Sequence, residues 1–380
     1  MPRRPDGNAT PFDAGNEKFR AGVRRFVATE LAPRVDAWER AGSFPKAALL
    51  ACGKRGYLAL TPDRSAVLAE ELVQCGSLGV SLAMFVQAGL VAPLIEQLGT
   101  DDQRKRLLPQ LHAGRLVGAM AVTEPHAGSD IAAITATAQL RTGRGGEQLV
   151  LDGEKTYITC AAAAGLLIVA ARIVEGGKPD ADPSLVLVPA ETQGVRVTPL
   201  ESLGLEVTAM GRVTMRGCRV PAAAILGERG GGYDYVLNAL DRERLFGGIG
   251  AVAWASLALE RTAAFLRQRR AFGRPVSRHQ AVRHQLAECA TALAAARQLN
   301  YAAYRRWAAG ENAMGDIAMV KLFSYREVQR AIELCLQLHG GLGYMEGHWT
   351  SQWFRDARAL TIAAGTPEVM RDLVAAHLRL

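Results

Sequence analysis

Paired cysteines are missing from this sequence. The six cysteines have no CxxC spacing and no histidine cluster beside them; they are Cys52, Cys75, Cys160, Cys218, Cys289 and Cys335. This pattern excludes a disulfide framework and a zinc site, and it is typical of reduced thiols in the cytoplasm. We therefore expect a cytoplasmic protein without a metal ion.

Long apolar runs are missing as well. The longest, from Cys160 to Ala171, has 12 residues, whereas a membrane-spanning helix needs about 20. The N-terminal stretch MPRRPDGNATPFD contains no apolar core segment, so we expect a frayed tail there and no secretory signal. The sequence therefore predicts no membrane association.

Blocks of basic and aromatic residues are the third absence. The formal net charge is +8, but the basic residues are spread along the chain and interleaved with acids. This distribution argues against nucleic-acid binding. A positive surface also suits phosphate-bearing small molecules or an acidic protein partner. The chain of 380 residues is 49% hydrophobic and 22% charged, so it can form two or three globular domains.

Residue patterns divide the chain into three regions. Residues 1–118 read as helices; Gly99 is placed to end one helix, and Thr100 with Gln103 forms a capping box for the next. Residues 119–226 contain short β-rich runs separated by Gly, Pro and Asp, which predict a small antiparallel domain. Residues 227–380 contain long amphipathic helices at 238–270, 279–309 and 314–339, which predict a four-helix bundle. The expected fold class is therefore α+β, in the order α-domain, β-domain, α-bundle.

Two short stretches in the β region carry polar groups suited to a ligand. AMAVTEPHAGSDIAAI gathers Thr, Ser and Gly where helix gives way to strand, and an ordinary loop explains it equally well. In GEKTYIT, strand alternation places Tyr157 and Thr159 on one face, where they would stack on and hydrogen-bond a flat ligand. A plain sheet surface is the alternative.

Five motifs in one order are more specific than any one of them. AVTEPHAGSD, DGEKTYIT, RRAFGRPVSRHQ, QLHGGLGY and RDARALTIAAGT follow one another along the chain. In this order the sequence resembles the acyl-CoA dehydrogenase family of flavoproteins. The resemblance implies an FAD cofactor, an acyl thioester substrate and an electron-accepting flavoprotein partner.

The resemblance also assigns cofactor contacts. Val122 and Thr123 would meet the flavin ring, Ser129 the flavin or the pantetheine arm of the substrate, and Thr159 the region of flavin N5. Tyr157 takes the position where the family usually has Trp. The residues expected to hold the pyrophosphate and adenosine are Arg269, Phe272, Gln280, Gln337, Gly340, Gly341, Thr366 and Glu368. Because the family binds part of FAD across a subunit interface, the resemblance implies a homo-oligomer, either a dimer or a tetramer. For Gln337 and the two glycines, a helix C-cap is the alternative.

The family's usual base is absent. The reaction removes an α-proton while the thioester oxygen receives hydrogen bonds, one of them from a backbone N–H in a Glu-Gly-Thr turn. The matching turn here is IAAGT, in which Ala364 keeps the N–H but replaces the Glu. A second acid, Glu243, lies where isovaleryl-CoA, long-chain acyl-CoA and some acyl-carrier-protein dehydrogenases place their base. Glu243 is therefore the candidate base and Arg244 a neighbouring charge near the substrate. An ordinary charged helix surface is the alternative.

Small residues predict the shape of the acyl pocket. Ala363 and Ala364 replace larger family residues, and Gly247 lies one helical turn after Glu243. We expect the resulting space to accept a branched or cyclic acyl group. The acyl carrier is either CoA or a carrier protein. A flavin monooxygenase or oxidase on the same fold is the alternative function, and a cofactor-free, non-catalytic member is a third.

Three further departures from the family pattern stand out. The Tyr-Gly-Gly loop expected after the third helix is missing, which affects how the N-terminal domain would close the pocket. His126 replaces a Gly, and we expect it to face solvent. Cys160 replaces an Asn and is expected to be a packing thiol.

Overall fold

A computed structural model describes residues 12–42, 46–143 and 146–380. Most of the N-terminal stretch interpreted as a frayed tail, residues 1–11, lies outside the described residues. The described chain forms a helical region, a β region and a second helical region in the predicted order. The boundary predicted at 118/119 falls at the start of the first strand, and that at 226/227 falls between the last sheet strand and the first bundle helix.

The N-terminal region is helical, as predicted. Its capping signal is confirmed: Gly99 ends one helix, and Thr100 and Gln103 cap each other at the next, with Thr100 N donating to Gln103 Oε1 over 2.9 Å. The helices are α1 Ala14–Phe26, α2 Val35–Ala41, α3 Lys46–Lys54, α4 Pro62–Leu72, α5 Leu78–Phe85, α6 Ala92–Leu98 and α7 Asp101–His112. A π-helical segment, Val86–Val91, joins α5 to α6.

The β region forms one nine-stranded sheet, ordered β7-β8-β3-β2-β4-β6-β9, with β1 and β5 also paired to β4. The strands are β1 Gly118–Ala121, β2 Thr137–Gly143, β3 Gly146–Ile158, β4 Leu166–Glu175, β5 Lys178–Pro179, β6 Ser184–Pro189, β7 Val195–Pro199, β8 Gly211–Pro221 and β9 Ile225–Leu226. The predicted antiparallel arrangement is incomplete, since β1 and β2 both run parallel to β4. β2 and β3 form a hairpin, and the chain reverses direction again between β3 and β4. β4 therefore runs in the same direction as β2, and the two strands lie side by side.

The C-terminal region is helical with one hairpin, β10 Arg270–Ala271 and β11 Arg274–Pro275. The three long helices lie close to their predicted positions, and α10 packs against all the other helices of the region. The helices are α8 Gly232–Gln268, α9 Gln280–Ala308, α10 Met314–His339, α11 Trp349–Leu360 and α12 Pro367–His377. The bundle predicted from periodicity is therefore centred on α10.

Two helical stretches, Leu78–Leu98 and Gly232–Gln268, are long and apolar enough to cross a membrane by length and composition alone. Within the fold, however, 83% and 56% of their most apolar windows are buried. Core packing explains that composition, because a helix with apolar residues on several sides needs protein neighbours on those sides. Neither stretch is more than weak evidence for a membrane.

The two helical regions share a core, and this junction positions the site. Val67 of α4 packs in one apolar cluster with Phe246 of α8 and Val320 of α10. Beside it, Arg20 of α1 forms buried ion pairs with Glu70 and Glu71 of α4, at 2.6 and 3.0 Å. The apolar cluster therefore fixes α4 against α8 and α10, and the ion pairs fix α1 to α4.

Candidate active site

A cavity of about 110 Å³ lies where α4, α5 and the following π-helical segment meet α8, α10 and the turn after α11. Its walls are almost entirely apolar. Five residues that the sequence analysis selected line it together: Thr159, Glu243, Gly247, Ala363 and Ala364. The other lining residues are Ser65, Leu68, Ala69, Leu72, Val73, Leu78, Ser81, Leu82, Phe85, Ala88, Gly89, Leu205, Phe246, Gly250, Ala251, Lys321, Tyr325, Ala359 and Leu360.

Glu243 is the carboxylate of this cavity. It lies in the fourth turn of α8, is half-buried, and has no hydrogen bond or ion pair within the described part of the chain. Burial raises the pKa of Glu243, although the charges of Lys321 and Arg244 act in the opposite direction. The sequence left this direction open, because it does not show whether burial or the neighbouring cations dominate.

The turn between α11 and α12 presents Ala364 to the cavity. Ala364 and Gly365 have φ angles of 57° and 105°, and a Cβ on Gly365 would lie 2.7 Å from Met370 Cε. The positive φ favours glycine at 365, and α12 begins at Pro367 with Thr366 at its N-cap position. Among the described residues, the Ala364 N–H makes no hydrogen bond, so this donor is available to a ligand.

Arg244 is a charge next to the cavity, as the sequence analysis expected. It is buried (4% exposed) behind the cavity wall. Its Nε donates to the Ala364 carbonyl oxygen over 2.8 Å, and its Nη1 pairs with Asp241 at 2.8 Å. This side chain therefore holds the turn from behind, a contact between residues 120 positions apart that no local pattern reveals, and its contact with the substrate stays a prediction.

Gly247 lines the cavity as predicted, but the space beside it is filled. A Cβ on Gly247 would lie 2.4 Å from the Tyr325 hydroxyl, which donates to the Arg244 carbonyl over 3.0 Å. The expectation of free room at Gly247 is corrected in this respect. Space next to the turn depends instead on Ala363 and Ala364.

Thr123 and Tyr157 lie on adjacent segments. Thr156 N donates to Thr123 O over 2.9 Å. The predicted alternation of side chains along a regular strand does not hold at Tyr157 and Thr159. The pairing of β3 with β8 shifts register between Lys155 and Ile158, and Tyr157 has a φ of 58°. Nevertheless, the Tyr157 ring is 65% exposed and Thr159 reaches the cavity. The bulge, which sequence patterning missed, turns the ring outward.

A buried ion pair that the sequence analysis missed supports these segments. Lys155 donates to Glu124 Oε1 at 2.8 Å and to Val122 O at 2.9 Å. Burial alone would raise the pKa of Glu124, but Lys155 and two backbone N–H donors outweigh it and lower the pKa. Burial lowers the pKa of Lys155 to about 8 despite Glu124. Both residues stand inside the quoted motifs, and a charged residue at an inward strand position was the available signal.

Lys321 is a further residue of the cavity that the sequence analysis missed. It is 5% exposed, lines the cavity with Glu243, and donates from Nζ to Leu360 O over 2.5 Å. Burial lowers the pKa of Lys321 to about 7, against the attraction of Glu243. A lysine among the apolar residues of MVKLF was the signal for this position.

Most of the remaining candidate cofactor residues lie at the surface. Phe272 is 94% exposed in the β10–β11 hairpin. A Cβ at Gly340 or Gly341 would meet nothing within 4 Å, so a ligand has close access to the backbone there. Val122 is buried, and Thr123 and Thr366 are partly exposed. The exposed members are Ser129, Arg269, Gln280, Gln337 and Glu368.

These groups fit FAD chemically. Thr123 and Thr159 supply hydroxyls and Tyr157 an exposed ring for a flavin, whereas Arg269 is a cation suited to a pyrophosphate. Two other departures from the family pattern behave as expected: His126 is exposed, with Nε2 3.4 Å from Glu124 Oε2, and Cys160 is a buried free thiol.

Comparisons with known proteins identify the family. Three family models match the acyl-CoA dehydrogenase N-terminal, middle and C-terminal domains, at residues 14–115, 119–218 and 230–379. The long-chain specific acyl-CoA dehydrogenase of Mus musculus mitochondria is 30% identical, over 97% of this chain and 87% of that protein.

Solved structures give the same result. An acyl-CoA dehydrogenase from Geobacillus kaustophilus has a TM-score of 0.93 and 31% identity, covering 98% of this chain and 100% of that one. A glutaryl-CoA dehydrogenase from Mycobacterium smegmatis in complex with FADH2 has a TM-score of 0.88 and 25% identity, covering 97% and 95%. The chain therefore belongs to the acyl-CoA dehydrogenase family, whose cofactor is FAD.

Proposed function

We propose that this FAD-dependent enzyme removes hydrogen from the α and β carbons of an acyl thioester, with Glu243 as the base. The observation that carries the proposal is the shared cavity, which brings the Glu243 carboxylate and the free Ala364 N–H together with Thr159. FAD, when bound, supplies the acceptor for the β-hydride at N5. The proposed branch of the family is the one whose base lies on the first bundle helix.

The Ala364 N–H activates the thioester by donating a hydrogen bond to its carbonyl oxygen. As the α-proton leaves, negative charge develops on the thioester oxygen, and a fixed backbone donor stabilises it most when the donor need not reorganise. Arg244 holds the Ala364 carbonyl, and Gly365 permits the turn. The peptide group that carries this N–H is therefore fixed before substrate binds.

Glu243 provides the basic side. Its carboxylate accepts the α-proton from carbon, and the electron pair of that C–H bond moves toward the thioester carbonyl. A carboxylate with a raised pKa is a stronger base than an exposed one and accepts a carbon-bound proton more readily. The apolar wall around Glu243 produces this shift in the direction that catalysis needs.

The substrate proposed here has an apolar acyl group, branched or cyclic, carried by CoA. The wall is almost wholly apolar, and Ala363 and Ala364 leave space beside the turn, although Tyr325 fills the space at Gly247. A carrier protein is the alternative carrier. Anaerobic bleaching of bound flavin by straight, branched and cyclic acyl-CoAs and acyl-carrier proteins tests this. Faster bleaching by every straight-chain thioester would contradict the proposed pocket shape.

The proposed partners follow from the same function. A homo-oligomer would complete the FAD site, because Phe272, Arg269 and Gln337 are exposed and free to meet a second subunit. Electrons would leave to an electron-transferring flavoprotein. A cytoplasmic location, the absence of a metal, and the absence of nucleic-acid or membrane binding stay predictions of the sequence.

Glu243→Gln tests the base directly with the substrate found by bleaching. Gln keeps the size of the side chain but cannot accept the proton, so flavin reduction should slow by about 10²–10⁴-fold while thioester binding is retained. Glu260→Gln, an exposed glutamate on the same helix, is the matched control and should keep the wild-type rate. A near-wild-type rate in Glu243→Gln would exclude Glu243 as the base.

A further inference from the structure

Lys321 connects the two halves of the proposed site. It extends from α10 and is 5% exposed. Its Nζ donates to Leu360 O, at the end of α11, over 2.5 Å and lies 3.9 Å from the centre of the Tyr325 ring. The same side chain lines the cavity with Glu243. One ammonium group thus contacts the start of the Ala364 turn and faces the proposed base.

We infer that Lys321 is a positioning residue that keeps Glu243 ionised and fixes the Leu360 end of the turn carrying the Ala364 N–H. This inference rests on the proposed role of Glu243. Lys321 exchanges no proton in the reaction. Its charge stabilises the carboxylate form of Glu243, and its N–H stabilises the position of the turn.

The other charged and titratable groups around the cavity leave this role to Lys321. Arg244 of α8 is paired with Asp241 and bonded to the Ala364 carbonyl. Tyr325 of α10 is neutral, since burial raises the pKa of its hydroxyl above the working range. Lys321, in contrast, is bonded to a neutral carbonyl and, within the described residues, has no carboxylate within 4 Å. Its charge is therefore not cancelled by an ion pair.

Burial determines how much this charge matters. Water screens charges weakly inside an apolar wall, so an opposite charge a few ångströms away typically moves a pKa by about 1–3 units. Burial acts against the charged form of both residues. Each charge reduces that penalty for the other, and removal of Lys321 leaves only the charge of Arg244 to oppose the effect of burial on Glu243.

Two substitutions separate the charge from the hydrogen bond. Lys321→Met removes both, whereas Lys321→Gln keeps an N–H donor for Leu360 O and removes only the charge. Lys105→Met, at an exposed lysine of α7, is the control. FAD retention and thermal unfolding establish that each variant is folded.

Two readouts follow the ionisation of Glu243. One is the pH dependence of flavin reduction. The other is the infrared carbonyl band of the protonated Glu243 carboxyl, titrated in the substrate-free holoenzyme and identified by its loss in Glu243→Gln. In both Lys321 variants we expect the midpoint to rise by about 1–3 pH units. Rates below the midpoint should fall at least about tenfold and approach wild-type values at high pH.

Each outcome decides the question. A fall in rate by the same factor at every pH, with an unmoved infrared midpoint, would reduce Lys321 to a structural contact and overturn the inference. Wild-type behaviour in Lys321→Gln would show that only the hydrogen bond matters, which also overturns the charge role. The proposed function fails separately, through an unaffected Glu243→Gln variant.

Discussion

At the scale of single residues, the burial that makes Glu243 a stronger base also makes its charged form destabilising to the fold. Burial raises the pKa of this carboxyl group, so the native state binds its proton more tightly than the unfolded chain does. Stability therefore falls as the pH rises from the ordinary carboxyl range through the raised pKa of Glu243. Each unit of the shift corresponds to about 1.4 kcal/mol. A strong base at this position is thus destabilising at neutral pH.

Replacing Glu243 should accordingly stabilise the fold at alkaline pH. Glu243→Gln cannot ionise, so its melting temperature should exceed that of the wild type at pH 8 and approach it at pH 5. The substitution also removes the negative charge that attracts Lys321. That loss matters little at pH 8, because the pKa of Lys321 is about 7 and its side chain is mostly uncharged at pH 8. Thermal unfolding at the two pH values measures this, with Glu260→Gln as control. A difference that does not change with pH would contradict a raised pKa at Glu243.

At the scale of secondary-structure elements, the loop after β1 and the end of β3 act as one unit. Lys155 of β3 donates to Val122 O and pairs with Glu124, and Glu124 accepts from the N–H groups of Thr135 and Ala136. These bonds fix the segments that carry Thr123 and Tyr157. The buried pair thus supports the proposed flavin surface without touching the ligand.

Removing one member of this pair should weaken the fold and the flavin surface together. Lys155→Met leaves the Glu124 charge buried without its cation, which costs about 3–5 kcal/mol. The pKa of Glu124 is lowered in the folded protein. The stability that the pair contributes, and that Lys155→Met removes, is therefore fully present above the ordinary carboxyl pKa. It disappears as the pH falls through the lowered pKa of Glu124. Urea unfolding at neutral and acidic pH, with FAD retention, measures both effects.

The control for this substitution is Lys178→Met, at an exposed lysine of β5. It should unfold as the wild type does. If Lys155→Met matched the wild type in both unfolding free energy and FAD retention, the pair would have no supporting role.

At the scale of the whole molecule, the cavity exists only between regions. Its walls come from α4 and α5 of the N-terminal region and from α8, α10 and the Ala364 turn of the C-terminal region. Exposed residues on the hairpin and after α10 form the proposed second half of the FAD site. A complete site would therefore depend on domain packing and on assembly.

Arg269→Ala tests the assembly part. A charge-assisted hydrogen bond to pyrophosphate contributes about 1.5–3 kcal/mol, so FAD should dissociate more readily, by roughly one to two orders of magnitude in affinity. Arg267→Ala, an exposed arginine two positions earlier on α8, is the control. Gel filtration with absorbance detection of flavin measures retention and size together. A monomer that keeps all its FAD would contradict binding across subunits.

The sequence by itself determined the elements, their order and the type of site. Caps such as Thr100 with Gln103 and helix periods are local, so they appear directly in the order of residues. The motifs around Thr159 and Ala364, with Glu243 as a substitute acid, predicted residues that meet at the cavity. The parallel pairing of β4, in contrast, depends on where strands return, which alternation does not encode.

Only the tertiary structure decided how the site is held together. Arg244 reaches the Ala364 carbonyl across 120 positions, Lys321 reaches Leu360 across 39, and the Tyr325 hydroxyl fills the space beside Gly247. It also decided that burial outweighs nearby cations at Glu243. The physical reason is common to all of these: burial and electrostatic balance are sums over neighbours that are distant in sequence, whereas caps and periods are set by neighbours along the chain.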